Sequence, residues 1–160
     1  MINPILIFYL LILLLSVIIH EVSHGLIANQ LGDPTAKDMG RLTLNPLKHL
    51  DFFGSFLIPL FLYYVTQGQF VFGYAKPVPF NPYNLKNPKR DSGLIALSGP
   101  VSNILVAVVF GLFIKIFVFL GFLNSPLIDF FRIIISVNVL LAIFNLVPIP
   151  PLDGSKILFA

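Results

Sequence analysis

The sequence predicts an all-α polytopic membrane protein, and three features carry that prediction. Apolar residues make up 57% of the 160-residue chain and charged residues only 11%, with a mean hydropathy of +0.93. The apolar residues are gathered into long blocks rather than interleaved with the polar residues that a soluble surface needs. Gly, Pro, Asn and Asp, the residues that stop helices, fall between those blocks.

The first block runs from Ile5 to about Leu31 and ends at Gly32-Asp33-Pro34. At about 1.5 Å per residue it is long enough to cross a bilayer and emerge. No Lys or Arg precedes it and no small-residue cleavage site follows, so it reads as a retained membrane helix rather than a signal peptide. Arg41-Leu42-Thr43-Leu44-Asn45 alternates with period two and predicts a short strand. Phe52–Val65 is apolar but short and carries Gly54 and Pro59, which predicts a re-entrant or kinked segment. Phe70–Phe80 is aromatic and alternating, and Pro77 and Pro79 restrict it to an edge strand or extended loop.

Two more membrane helices are predicted, over roughly Leu94–Leu123 and Pro126–Val147, joined by a turn at Asn124-Ser125. The expected architecture is therefore three transmembrane helices, one re-entrant or kinked segment and small β-strand elements, forming a single domain over residues 1–160. Ile157-Leu158-Phe159 opens a new apolar stretch just before Ala160, so the chain is expected to be truncated at its C-terminus. With no Cys there is neither a disulfide framework nor a thiolate metal site. The net charge of +3 comes from basic residues between apolar blocks, which is an orientation signal and not a nucleic-acid footprint.

The chemistry is concentrated in His20-Glu21-Val22-Ser23-His24. On a helix, positions i and i+4 share a face about 5–6 Å apart, so both imidazoles reach one metal ion. Glu21, beside that face, is placed to take a proton from a metal-activated water. Three ionisable side chains in five positions of an apolar helix are costly and by default functional. A catalytic zinc needs a third protein ligand. His49, the only other histidine, sits in a charged stretch with Lys48 and Asp51, which suits a structural role at the membrane interface. Asp153 follows a helix broken by Pro148, Pro150 and Pro151, where unwound backbone at membrane depth must be buried or line a watery cavity. By itself that position fits a ligand and an ordinary Asp-Gly turn equally well.

Topology offers a test. His24 and Asp153 share a membrane side only if Phe52–Val65 does not complete a crossing. Lys37, Arg41, Lys48, Lys76, Lys86, Lys89 and Arg90 then all fall on one side, which the positive-inside rule makes cytoplasmic. Elsewhere, Lys115 is expected to snorkel, and Asp129 with Arg132 to form an i,i+3 surface pair.

His20-Glu21-x-x-His24, Gly99-Pro100-x-x-Asn103 and Asn145-x-x-Pro148-x-Pro150-Pro151-Leu152-Asp153-Gly154 together resemble the site-2 protease family of intramembrane zinc metalloproteases. Gly40-Arg41-Leu42-Thr43-Leu44-Asn45-Pro46 and Phe72-Gly73-Tyr74-Ala75-Lys76-Pro77-Val78-Pro79 resemble its small bacterial-type members without PDZ or CBS domains. The resemblance covers nearly the whole chain. Ser155, in place of a second Gly, and Phe52-Phe53, in place of a Pro, depart from the pattern. It implies that His20, His24 and Asp153 bind Zn2+ and that Glu21 is the general base. Asn145 would place the substrate carbonyl or its oxyanion, and Asn103 would serve packing or hydrogen bonding. The implied substrate is a transmembrane or membrane-associated protein, met within the bilayer of a prokaryotic cell membrane by an active site toward the cytoplasm. Extended segments at Leu42–Leu44 or Phe70–Phe80 would pair with the unwound substrate. A catalytically silent zinc scaffold and a metal transporter are the competing readings. Glu21 opposes the first, since a structural site has no need of a base. Clustering of the polar residues toward one side opposes the second.

Overall fold

A computed structural model describes residues 4–69, 75–122 and 125–160. Helix α1 (Pro4–Gln30) is followed by the single turn α2 (Thr35–Asp38). A π-helical turn at Phe52–Leu57, capped by Asp51 through Gly54 N–H at 2.7 Å, runs into α3 (Ile58–Val65). Two long helices, α4 (Pro88–Phe119) and α5 (Pro126–Asn145), and a short α6 (Asp153–Leu158) complete the order. Three helices, over Ile7–Gln30, Pro88–Phe119 and Pro126–Asn145, are long and apolar enough to cross a membrane. With this composition they make the chain a multi-pass membrane protein. The Phe52–Val65 segment is shorter than a span, as its Gly and Pro led us to expect. Its Phe52, Phe61 and Tyr64 side chains are exposed and suit lipid contact.

Helices α1, α4 and α5 pack side by side with alternating direction. Toward the start of α1, Ile12 packs with Phe131 and Ile134 of α5, and Phe110 and Phe117 of α4 close over them. Toward its end, Ala28 packs with Ile95 and Leu85. Between these two apolar clusters lie the buried polar residues Ser16, His20, His24, Asn103 and Asn138. On α4 the buried face is built on Ala96, Gly99, Asn103 and Ala107, small side chains that let the helices approach closely. Residues toward the C-terminal ends of α1 and α5 therefore meet the N-terminal half of α4. This is the arrangement that His24 and Asp153 need to share a membrane side.

The structure corrects several boundaries. Helix α4 starts at Pro88 rather than Leu94, because Asp91 closes its first turn by accepting from Asn87 N–H at 2.9 Å. It ends at Phe119, short of Leu123, and α5 ends at Asn145, two residues before Val147. Residue 124 of the expected turn lies outside the described residues, as do residues 70–74 of the expected second strand. Among the described residues no strand forms. At Arg41–Asn45 the guanidinium of buried Arg41 donates to the carbonyls of Lys48, Lys76 and Pro77. The Thr43 carbonyl is bonded to Nε2 of His49, and Pro77 and Pro79 have no N–H to give. Several groups that a ladder between these segments would use, the Thr43, Lys76 and Pro77 carbonyls, are thus held by side chains instead. His49 is fully buried in this loop cluster, apart from the other two histidines. Asp129 and Arg132 form the expected exposed i,i+3 pair at 2.9 Å.

One further polar anchor fixes the loops over the site. Asp33, fully buried just past α1, accepts from Asn81 N–H at 2.6 Å, Asn84 Nδ2 at 2.7 Å and the Thr35 hydroxyl. Burial pushes its carboxyl up, but the bonds from Thr35, Asn84 and Asn81 outweigh this and hold it below its ordinary value. Asp33→Ala leaves those donors unpaired and is expected to cost about 3 kcal/mol in detergent-micelle unfolding. A depressed carboxyl pKa stabilises fully above about pH 4 and loses its contribution as pH falls toward the folded value. The gap between wild type and variant should therefore narrow on acidification below about pH 4. A gap that widens there would contradict the assignment.

Candidate metal centre

His20 and His24 lie one helical turn apart on α1 and point the same way, with ring centroids 4.6 Å apart. Helix α5 stops at Asn145, and the prolines at 148, 150 and 151 keep the chain from resuming a helix until Asp153, the first residue of α6. Gly154 makes that return possible. A Cβ there would stand 2.2 Å from the Leu146 carbonyl oxygen and 2.6 Å from that of Val147. The turn carries Asp153 Oδ2 to 3.0 Å from His20 Nε2 and 3.1 Å from His24 Nε2. All three residues are buried, with exposures of 5, 8 and 6%.

The donor set fits a metal ion. His24 Nδ1 is 2.7 Å from the Ile95 carbonyl, which can only accept, so Nδ1 carries a proton and the neutral ring keeps its lone pair on Nε2. His20 Nδ1 is 2.9 Å from Asn103 Oδ1 and is placed in the same way. Two bare imidazole nitrogens and a carboxylate oxygen then converge within 4.8 Å, an arrangement that neutral groups oppose and a cation satisfies. Ligands about 2.0–2.1 Å from a tetrahedral zinc stand about 3.3 Å apart, close to the two distances observed.

The remaining predicted residues surround this cluster. Glu21, half-buried beside it, accepts from Val78 N–H at 2.7 Å through Oε2. Asn145 lines the same cleft, a cavity of about 140 Å³, while its Nδ2 donates to Leu141 O at 3.0 Å. His20, Glu21, His24, Asn145 and Asp153 are thus brought together, and His49 is kept apart in the loop cluster. Three contributors were not foreseen. Val78 supplies a backbone N–H, which leaves no trace in side-chain pattern. Lys156 lines the cleft with Nζ 3.9 Å from Asp153 Oδ1 and 5.7 Å from the Phe80 ring centroid, and its i+3 offset from Asp153 was the available signal. Gly99 lets α4 approach, since a Cβ there would be 2.5 Å from His24 Cε1 and 2.6 Å from His20 Nε2.

Three spanning-length helices built around a buried two-histidine, one-carboxylate cluster define a multi-pass membrane protein with a candidate metal centre. Residues 113–160 match the family model for peptidase family M50. The chain is 41% identical over 157 residues to "Putative zinc metalloprotease YwhC" of Bacillus subtilis, covering 94% of this chain and 67% of that protein. It is 36% identical over 91 residues to "Putative zinc metalloprotease MJ0611" of Methanocaldococcus jannaschii, covering 55% of this chain and 45% of that one. To "Putative zinc metalloprotease Rip2" of Mycolicibacterium smegmatis it is 28% identical over 156 residues, with 88% and 52% covered. The chain thus spans two thirds of the first relative and about half of the other two. No solved structure matches it. The chain belongs to peptidase family M50, the site-2 protease family.

Gly99→Ala gives a clean steric test, because by helix propensity alone Ala should stabilise α4 by about 1 kcal/mol. We expect a folded protein whose zinc affinity, measured by chelator competition, falls at least about tenfold as the imidazoles are displaced. Unchanged affinity would mean that α4 and the histidines do not meet as described.

Proposed function

We propose that residues 1–160 act as a single membrane-embedded zinc metalloprotease domain that hydrolyses peptide bonds of membrane-spanning or membrane-associated proteins. The convergence of His20, His24 and Asp153 beside Glu21, in a cleft among spanning helices, carries this reading. Zinc held by those three side chains supplies Lewis acidity toward the scissile carbonyl and lowers the pKa of a water.

Everything else falls to the chain's own groups. Glu21 is the general base. Val78 N–H occupies Oε2, which fixes the carboxylate and leaves Oε1 to receive the proton. Asn145 reaches the same cleft from the end of α5 and is suited to donate to the substrate carbonyl as negative charge develops there. At about 140 Å³ the cleft has room for few waters, which suits a site that limits bulk solvent at the bond under attack. Helical substrate segments hide their carbonyls in hydrogen bonds and must unwind to present one. The basic residues between the first two spanning helices support a reading in which this end of the bundle faces the cytoplasm of a prokaryotic cell.

Wild type purified in detergent should carry one zinc per chain, with metal lost or much weakened in His24→Ala and Asp153→Ala. Glu21→Gln should keep the metal yet cut a reconstituted spanning substrate about 10²–10⁴-fold more slowly. Zinc uptake into proteoliposomes that survives Glu21→Gln would instead support transport. A folded wild type that binds no zinc would end the protease reading.

A further inference from the structure

The histidines obtain their tautomers differently. His24 is fixed directly by the Ile95 backbone carbonyl. His20 instead faces the Asn103 side chain, whose amide could in principle turn either end toward it. With its nitrogen toward His20, that amide would demand a lone pair on Nδ1 and so put the proton on Nε2, where the metal ligand is needed. Something must hold the amide the right way round.

We infer that Asn138, a residue of α5 with no hydrogen bond to either histidine among the described residues, selects the metal-binding tautomer of His20 by orienting Asn103. Asn138 Nδ2 donates to the Ile134 carbonyl at 2.9 Å and to Ser16 Oγ at 2.9 Å. A backbone carbonyl accepts and never donates, so the nitrogen end of Asn138 must face it. Asn138 Oδ1 therefore faces Asn103 and accepts from its Nδ2 at 3.2 Å. That leaves Asn103 Oδ1 for His20, which must give its Nδ1 proton and keep Nε2 bare. Each step follows from donor and acceptor identity once the Ile134 carbonyl is fixed. Asn103 and Asn138 are both fully buried, at 0% exposure, so no water competes for these groups. The relay ties α1, α4 and α5 to one property of one ligand. Asn138 is a positioning residue, and its role rests on the zinc-site reading above.

The test relies on the symmetry of a carboxylate. Asn103→Asp presents an acceptor to His20 whichever way it turns, so it has no need of an orienting partner. Asn138→Leu alone should weaken zinc binding about 10–100-fold in chelator competition. It should also alter the visible spectrum of the cobalt-loaded protein. In metal-free protein labelled with ¹⁵N-histidine, the His20 resonances should shift from the Nδ1-protonated tautomer to a mixture. In the Asn103→Asp background, adding Asn138→Leu should change none of the three readouts. Ser16→Ala, which leaves the Ile134 carbonyl in place to orient Asn138, should leave the His20 tautomer unchanged, and Asn138→Ala stands in if Asn138→Leu does not fold. Equal losses from Asn138→Leu in both backgrounds would assign it a packing role and overturn the inference, as would a His20 tautomer unchanged by Asn138→Leu. Failure of wild type itself to bind zinc would sink the metalloprotease reading instead, and the metal-free tautomer measurement separates the two.

Discussion

Three potential ligand atoms converge in the middle of this molecule, His20 Nε2, His24 Nε2 and Asp153 Oδ2, and the rest of the structure answers to that placement. Polar atoms in an apolar, helix-walled interior are costly unless each has a partner. The side of each imidazole turned from the cluster is therefore bonded, His20 to Asn103 and His24 to Ile95. Asp153 faces the two histidines with one oxygen and Lys156 with the other. The same demand explains why α4 presents Gly99 where a larger residue would strike both rings, and why Gly154 stands against the end of α5.

The loops serve the site at a distance. Arg41 gathers the carbonyls of Lys48, Lys76 and Pro77, while Asp33 gathers donors from Thr35, Asn81 and Asn84. Between these two anchors runs Pro77-Val78-Pro79, in which Val78 has the one N–H, and that N–H meets Glu21. A buried guanidinium and a buried carboxylate thus position an uncharged backbone group against the base. Each charge is stabilised by several hydrogen bonds rather than by pairing with the other, which suits groups so close to the membrane surface.

Much of this was legible in the sequence. The i,i+4 histidines with Glu21 between them needed only helical geometry, and the long apolar blocks needed only the thickness of a bilayer. The proline-broken stretch before Asp153 signalled unwound backbone, and the structure begins a new helix there. No strand forms at Leu42–Leu44 because alternation describes side chains, whereas a ladder needs free backbone groups on both segments, and His49 holds the Thr43 carbonyl while Arg41 holds that of Lys76. The start of α4 was misplaced because Pro88, Lys89, Arg90 and Asp91 look like loop, although Asp91 caps the turn they form.

The sequence by itself determined which segments are helical and apolar, which side chains can ligate a metal and which residue can act as a base. Those properties follow from local periodicity and from the chemistry of single residues. Only the tertiary structure decided that Asp153 and not His49 joins the two histidines, that Val78 holds Glu21, and that Asn103 and Asn138 stand in line behind His20. These partners lie far apart along the chain, up to 133 residues for His20 and Asp153, and their meeting depends on helix direction and close packing. No local pattern encodes which end of an amide faces which neighbour. That is settled when three helices come together and every buried donor must find an acceptor.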